Sequence, residues 1–312
     1  DPTVRFAARE DTDRALREVI AYRLYTDLRR GWRVTAPNLE QAGLLRIDYR
    51  SLTDVCTADD LWVGTHPVLA SATPAEREAV ARALLDFMRR ELAVKVDYLD
   101  AGAQEQLVQR SNQHLLPPWG LDENEQDKLE RGTVLKPRSR RPRDDHRFVH
   151  LSPLSNFGRF LRRTLSTPNL PLPVSETGQV VAELLANLRT GGLVAVTDEA
   201  VDAEDVDGYQ LPAAALIWRA GDGTAAAHDP IRVPNAPDDG LRTNAFFVEF
   251  YQHVAAELRG LHAREHTAQV PNEERQKRED AFRENRLPLL FCSPTMELGI
   301  DIADLNIVGM RN

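Results

Sequence analysis

The chain has 312 residues, 42% apolar and 28% charged, an ordinary globular composition with enough apolar material for two or three domains and a sizeable core. Its two cysteines, Cys56 and Cys292, lie far apart and outside any CxxC pair, which excludes a disulfide framework and a cysteine zinc site and fits a reducing, cytoplasmic setting. The net charge of −9 excludes a uniformly basic nucleic-acid wrapper, so any phosphate binding must rest on local clusters of Lys and Arg.

In chain order, Asp11 to Gly31 carries Leu16, Ile20, Leu24 and Leu28 at spacing four among charges, which predicts an amphipathic helix ended by Gly31. Pro37-Asn38 breaks the chain, and Leu39 to Ile47 and Asp60 to Val63 read as further short helical stretches. Pro74 to Leu92 is the clearest helix: Pro74 suits a first turn, and Val80, Leu84, Leu85 and Met88 form an apolar stripe beside Arg77, Arg82, Arg89 and Arg90. Between Lys136 and Thr167 nine Lys and Arg face two Asp, a local +7 and the one basic stretch of the chain. Its Pro137 to Asp145 portion, with Arg138, Arg140, Arg141 and Arg143, lacks periodicity and reads as a connector open to nucleic-acid contact.

Ser155-Asn156 caps a helix through Phe160, Leu161 and Leu165, and a second helix from Ser175 carries Val180, Val181, Leu184, Leu185 and Leu188 up to Gly191-Gly192. Two apolar runs follow, Leu193 to Thr197 and Tyr209 to Trp218, separated by an acidic turn at Asp202 to Gly208. Helices, a glycine stop and then a hairpin is the order of a winged helix. Trp32, Trp62, Trp119 and Trp218 read as core anchors.

From Arg242 the pattern alternates. A helix through Phe247, Phe250, Val254 and Leu258 precedes a strand at His266 to Val270 and a charged helix at Asn272 to Asn285. Leu287 to Cys292 suits a buried parallel strand, and Leu305 to Met310 the next one. The first of these two strands runs into Ser293, Thr295, Glu297, Gly299 and Asp301. Small hydroxyls and a glycine at the carboxyl end of a parallel strand suit phosphate binding, and Asp301 offers an acceptor for a ribose hydroxyl or a metal-bound water.

The segment Leu287-Pro-Leu-Leu-Phe-Cys-Ser-Pro-Thr-Met-Glu-Leu-Gly-Ile-Asp-Ile302 resembles motif V of superfamily 2 helicases. Its flanks agree: His266-Thr267-Ala268-Gln269-Val270 stands where those proteins place a strand, and Glu274-Arg275 with Phe282 matches their following helix. The wording most resembles large bacterial helicases of the DISARM antiphage system, the DrmA-like group, which Pro37-Asn38-Leu39-Glu40-Gln41 and Gly43-Leu44-Leu45 also resemble. The resemblance implies that Ser293 and Thr295, with His266 and Thr267 beside them, contact the nucleic-acid backbone, while Gly299 and Asp301 face a nucleotide. ATP and Mg2+ are then the cofactors of the parent, DNA and other defence-system subunits its partners, with no membrane and no metal ligand set.

The expected architecture is mixed α/β: a mainly helical inter-lobe region at 1–135, a basic linker at 136–150, a winged-helix-like module at 151–223 and a partial second RecA-like lobe at 224–312. Neither a Gly-x4-Gly-Lys-Ser/Thr loop nor an Asp-Glu-x-His/Asp box occurs in the sequence, and the Gln-Arg-Gly-Arg motif is absent as well. The chain is therefore expected to be an internal piece of a longer ATP-dependent helicase, inactive by itself because phosphoryl transfer depends on those groups. The alternatives are a non-catalytic binding scaffold and a DNA-repair helicase of a related group.

Overall fold

The computed structural model describes residues 6–29, 36–116, 119–138, 146–202, 205–235, 241–254, 257, 263–267 and 270–292. The fold is mixed α/β, and the chain divides into two compact units, Asp1–Val248 and Glu249–Asn312.

The first unit opens with α1 (Phe6–Asp27). Its buried face is Ala15, Val19, Tyr22 and Thr26, and Ile20 of the expected stripe is 42% exposed. A constant step of four overshoots a helical turn by about 40° and drifts round the surface, whereas alternating steps of four and three stay on one side. The stretch expected to be helical at 39–47 is instead a turn followed by β1 (Leu45–Tyr49), with Leu45, Ile47 and Tyr49 buried at period two. Short helices α2 (Leu52–Thr57) and α3 (Pro67–Ala70) follow, with a 3-10 turn at Asp59–Leu61 where a short helix was expected.

α4 (Pro74–Arg90) matches its expectation. Thr73 accepts from the Glu76 backbone and Glu76 reaches back to the Thr73 N–H, a full capping box, while Pro74 fills the first turn. Val80, Ala81, Leu84, Leu85 and Met88 are buried, and so, against expectation, are Arg77 and Arg89. Arg77 donates to the Leu69 and Ala70 carbonyls and lies 5.2 Å from the ring centre of Trp62.

β2 (Val94–Lys95), α5 (Ala101–His114), α6 (Glu123–Gln126), β3 (Val134–Lys136) and β4 (Phe148–His150) lead to two helices, α7 (Asn156–Leu165) and α8 (Val174–Thr190). Ser155 caps α7 through the Gly158 N–H, as the sequence implies. β5 (Ala195–Asp198) and β6 (Gly208–Pro212) form the expected hairpin. The run expected to continue to Trp218 breaks at a 3-10 turn, Ala213–Ala215, and resumes as β7 (Leu216–Ala220) in a different sheet, antiparallel to β1. β6 is the hub of the larger sheet, antiparallel to β5 and β3 and parallel to β2, with β4 parallel to β3.

One apolar core extends from Val19 to Leu216. Trp62 is fully buried there and donates to the Val55 carbonyl, and Trp218 meets Tyr25 edge to face at 5.2 Å. Trp119, expected in the core, is 55% exposed; Trp32 lies outside the described residues. The region from Arg242 begins with α9 (Ala245–Glu249), which passes into a π-helical turn at Phe250–Val254.

The second unit contains β8 (Ala263–His266), α10 (Asn272–Arg283) and β9 (Leu289–Cys292). β8 and β9 are parallel with α10 between them in sequence, the β-α-β arrangement that a RecA-like domain requires. β8 ends where the strand at 266–270 was expected to begin, and beyond it the Val270 N–H donates to the Thr267 carbonyl. The Leu305 to Met310 strand lies outside the described residues.

Candidate nucleic-acid and nucleotide site

The parallel register sets Ala263 beside Leu289 and His266 beside Cys292, so both strands finish at one edge of the sheet. In α/β sheets the carboxyl edge is where ligands bind, because loops leave the strands there with unpaired backbone groups. Thr267 leaves from this edge on one strand and Ser293 follows Cys292 on the other. Ser293, Thr295, Gly299 and Asp301 lie outside the described residues.

α10 is fastened to β8 at two points. Arg278 donates to the Glu265 carbonyl at 2.8 Å, and the buried His266 ring meets Glu279 at 2.6 Å through Nε2. Glu279 also acts on the opposite strand: the Cys292 thiol is pushed up by burial and then by this carboxylate. Thr267 differs from its neighbour, since its hydroxyl is buried without a hydrogen-bond partner. Buried hydroxyls are nearly always satisfied, and one that is not can both donate and accept. On the open face of β9, Leu289 and Phe291 are 46% and 65% exposed.

The basic stretch is arranged differently from a phosphate track. Lys136 is buried, with Nζ 2.7 Å from Asp198 and 3.1 Å from Asp205, and Arg138 donates to Asp205 at 2.8 Å. Arg162 binds the Pro153 carbonyl and Arg163 the Pro230 carbonyl. Hydrogen bonds from Lys136 and from the backbone hold the Asp205 carboxyl down at about 2. The acidic hairpin turn thus neutralises the start of the basic stretch; Arg140, Arg141 and Arg143 lie outside the described residues.

α8, the second helix of the helix-helix-hairpin order, is also engaged. His66 bonds Glu176 through Nε2 at 2.9 Å and Glu183 through its backbone N–H. Sequence reasoning missed Glu279, Asp198, Asp205 and His66. The acidic turn was visible, but pairing across 67 to 69 positions leaves no local signal.

Residues 242–311 match the family of the helicase conserved C-terminal domain. The match covers a minority of the chain and supports a helicase-type segment of superfamily 2 over those residues. No curated protein and no solved structure matches the chain. Among the described residues no helix is long and apolar enough to cross a membrane, and no three of His, Cys, Asp and Glu are grouped to hold a metal ion.

Proposed function

We propose that this chain is part of an ATP-dependent DNA helicase or translocase, one of bacterial antiphage defence, and that the β8–β9 edge supplies its contacts to the nucleic-acid backbone. The observation that carries the reading is the helicase C-terminal match on a parallel β-α-β unit whose carboxyl edge holds a buried, unpartnered hydroxyl, Thr267. A hydroxyl at that position suits a phosphodiester oxygen, which positions the duplex or single strand without reading its sequence. His266, held by Glu279, orients the end of β8, and Ser293 and Thr295 continue the contact from β9. Gly299 and Asp301 face the nucleotide. ATP with Mg2+, when bound by the whole protein, supplies the phosphoryl transfer that drives movement.

The winged-helix reading of residues 151–223 draws on α7 and α8 followed by the β5–β6 hairpin, which β3 extends along β6. The acidic turn and the bonds from His66 to α8 favour its use as an internal scaffold over insertion into a DNA groove. Arg140, Arg141 and Arg143 are the linker cations assigned to DNA in this reading, and Arg138 is shared with Asp205. A second reading, a non-catalytic binding scaffold, draws on this same neutralisation.

The test is anisotropy binding of single-stranded and duplex DNA over a salt series, combined with alkylation of Cys292 at pH 8. Salt-dependent binding that protects Cys292, and that weakens in Thr267→Val and Ser293→Ala, supports the motor reading. Binding that leaves Cys292 unprotected and survives both substitutions favours the scaffold.

A further inference from the structure

The turn containing Asn38 to Leu45, one of the motifs singled out in the sequence, is not part of the site above, yet nearly every polar atom in it is engaged. Asn38 and Gln41 exchange side-chain to backbone bonds at 2.9 and 2.8 Å, and Asp27 at the end of α1 accepts from the Leu39 N–H and, through its own carbonyl, from the Asn38 amide. Glu40, 4% exposed, forms a two-point pair with Arg89, which is 2% exposed and also bonds Asp86 and the Tyr49 hydroxyl. A bidentate carboxylate–guanidinium pair fixes both partners in angle as well as distance.

The other side of the turn holds a different part of the chain. The Glu40, Gly43 and Leu44 carbonyls accept from the Ala227, Gly223 and Gly221 N–H groups. That second segment in turn holds a third: Ala226 donates to the Leu241 carbonyl, Ala225 bridges Arg242, and the Thr243 hydroxyl donates to the Gly223 carbonyl at 2.5 Å. Only glycine fits this layering. Gly43 (φ +69) would place a Cβ 2.7 Å from the Ala225 oxygen, Gly221 would place one 2.0 Å from the Gly43 oxygen, and Gly223 (φ +81) one 2.5 Å from Val248. The helicase match begins at residue 242, so its first residues are built into the first unit.

We propose that this buried turn is a mechanical joint: it clamps residues 241–248, where the helicase match begins, into the first unit, so that a pull on that segment is borne by the first unit instead of being absorbed by a slack linker. The use of the joint rests on the helicase reading above; its rigidity does not. The two are therefore measured separately, in the full-length protein, with Thr243→Val, Gly223→Ala and Glu40→Gln.

Amide hydrogen exchange at Gly223, Ala226 and Ala227, whose N–H groups make the bonds described above, reads the joint itself. Each substitution is expected to raise exchange there by ~10-fold or more while the amides of α4 keep their protection. Unchanged exchange in folded variants overturns the joint. If Glu40→Gln does not fold, Thr243→Val, which removes a single hydroxyl, carries the test. DNA-stimulated ATP hydrolysis and strand separation read its use: hydrolysis should stay within ~2-fold of the parent while separation falls ~10-fold, the signature of lost coupling. Equal losses in both, or no loss despite faster exchange, overturn the coupling. A parent that shows no DNA-stimulated hydrolysis refutes the helicase reading and leaves the joint to be decided by exchange.

Discussion

Arg89 keeps its charge in the interior because acceptors surround it. Burial opposes the guanidinium charge, but Asp86, Tyr49 and Glu40 outweigh that and hold it well above the usual arginine range; the Tyr49 hydroxyl is pushed well above the tyrosine range by burial and then by Asp86. Arg89→Met leaves the buried Glu40 and the half-buried Asp86 carboxylates without their cation and is expected to cost ~3–5 kcal/mol in a denaturant melt. Restoring neutrality with Glu40→Gln in the same chain should recover part of that loss. The cysteines offer a second check. Cys56 is fully buried with its thiol pushed up to about 12 by burial, while Cys292 is exposed. Alkylation at pH 8 should therefore label Cys292 in the native protein and Cys56 only after unfolding. At this scale the sequence was informative about residue type and silent about partners. His266 and Thr267 were picked out together, but nothing in the chain distinguishes the one that meets Glu279 from the one whose hydroxyl is left unpaired.

The β5–β6 hairpin shows how an element can redirect a charge cluster read from sequence. Asp205 is held at about 2, below the ordinary carboxylate value of ~3.9. Its contribution is thus fully present above the ordinary value and is lost as pH falls through about 2. A carboxyl NMR titration should show this late protonation, together with release of the Lys136 and Arg138 contacts. Asp205→Asn should loosen the same contacts at neutral pH and, by exposing two cations, strengthen low-salt DNA binding; unchanged affinity would mean the stretch takes no part in it. Long elements with regular patterns were legible, as α4, α7 and α8 show, since capping residues and apolar spacing are local signals. The stretch at 39–47 was misread because a short apolar run fits either period, and its pairing with β7, about 170 positions away, decided it. The break at Ala213–Ala215 did carry a local signal, Pro212, which lacks the N–H a continuing strand needs and precedes three weak strand formers; the apolar run around it masked that signal.

At the scale of the whole molecule, the apolar core lies wholly within the first unit. A chain ending at Val248 is expected to melt in one cooperative transition, and two transitions would show that 1–248 is not a single folding unit. The parallel pair of the second unit followed from the helicase-like wording around β9, while its exposed Leu289 and Phe291 had no signature in a strand that reads as buried on both faces. The layering of three glycines around residues 221–243 bears on how such chains recombine. The similarity that defines the helicase segment starts at 242, but the packing places Thr243 and Val248 against the earlier glycines. A chimaera spliced at the border of sequence similarity would pair one parent's glycine bed with another parent's filler, whereas a splice after Val248 keeps both from the same ancestor. Gene exchange among such proteins should leave its crossover scars downstream of that valine.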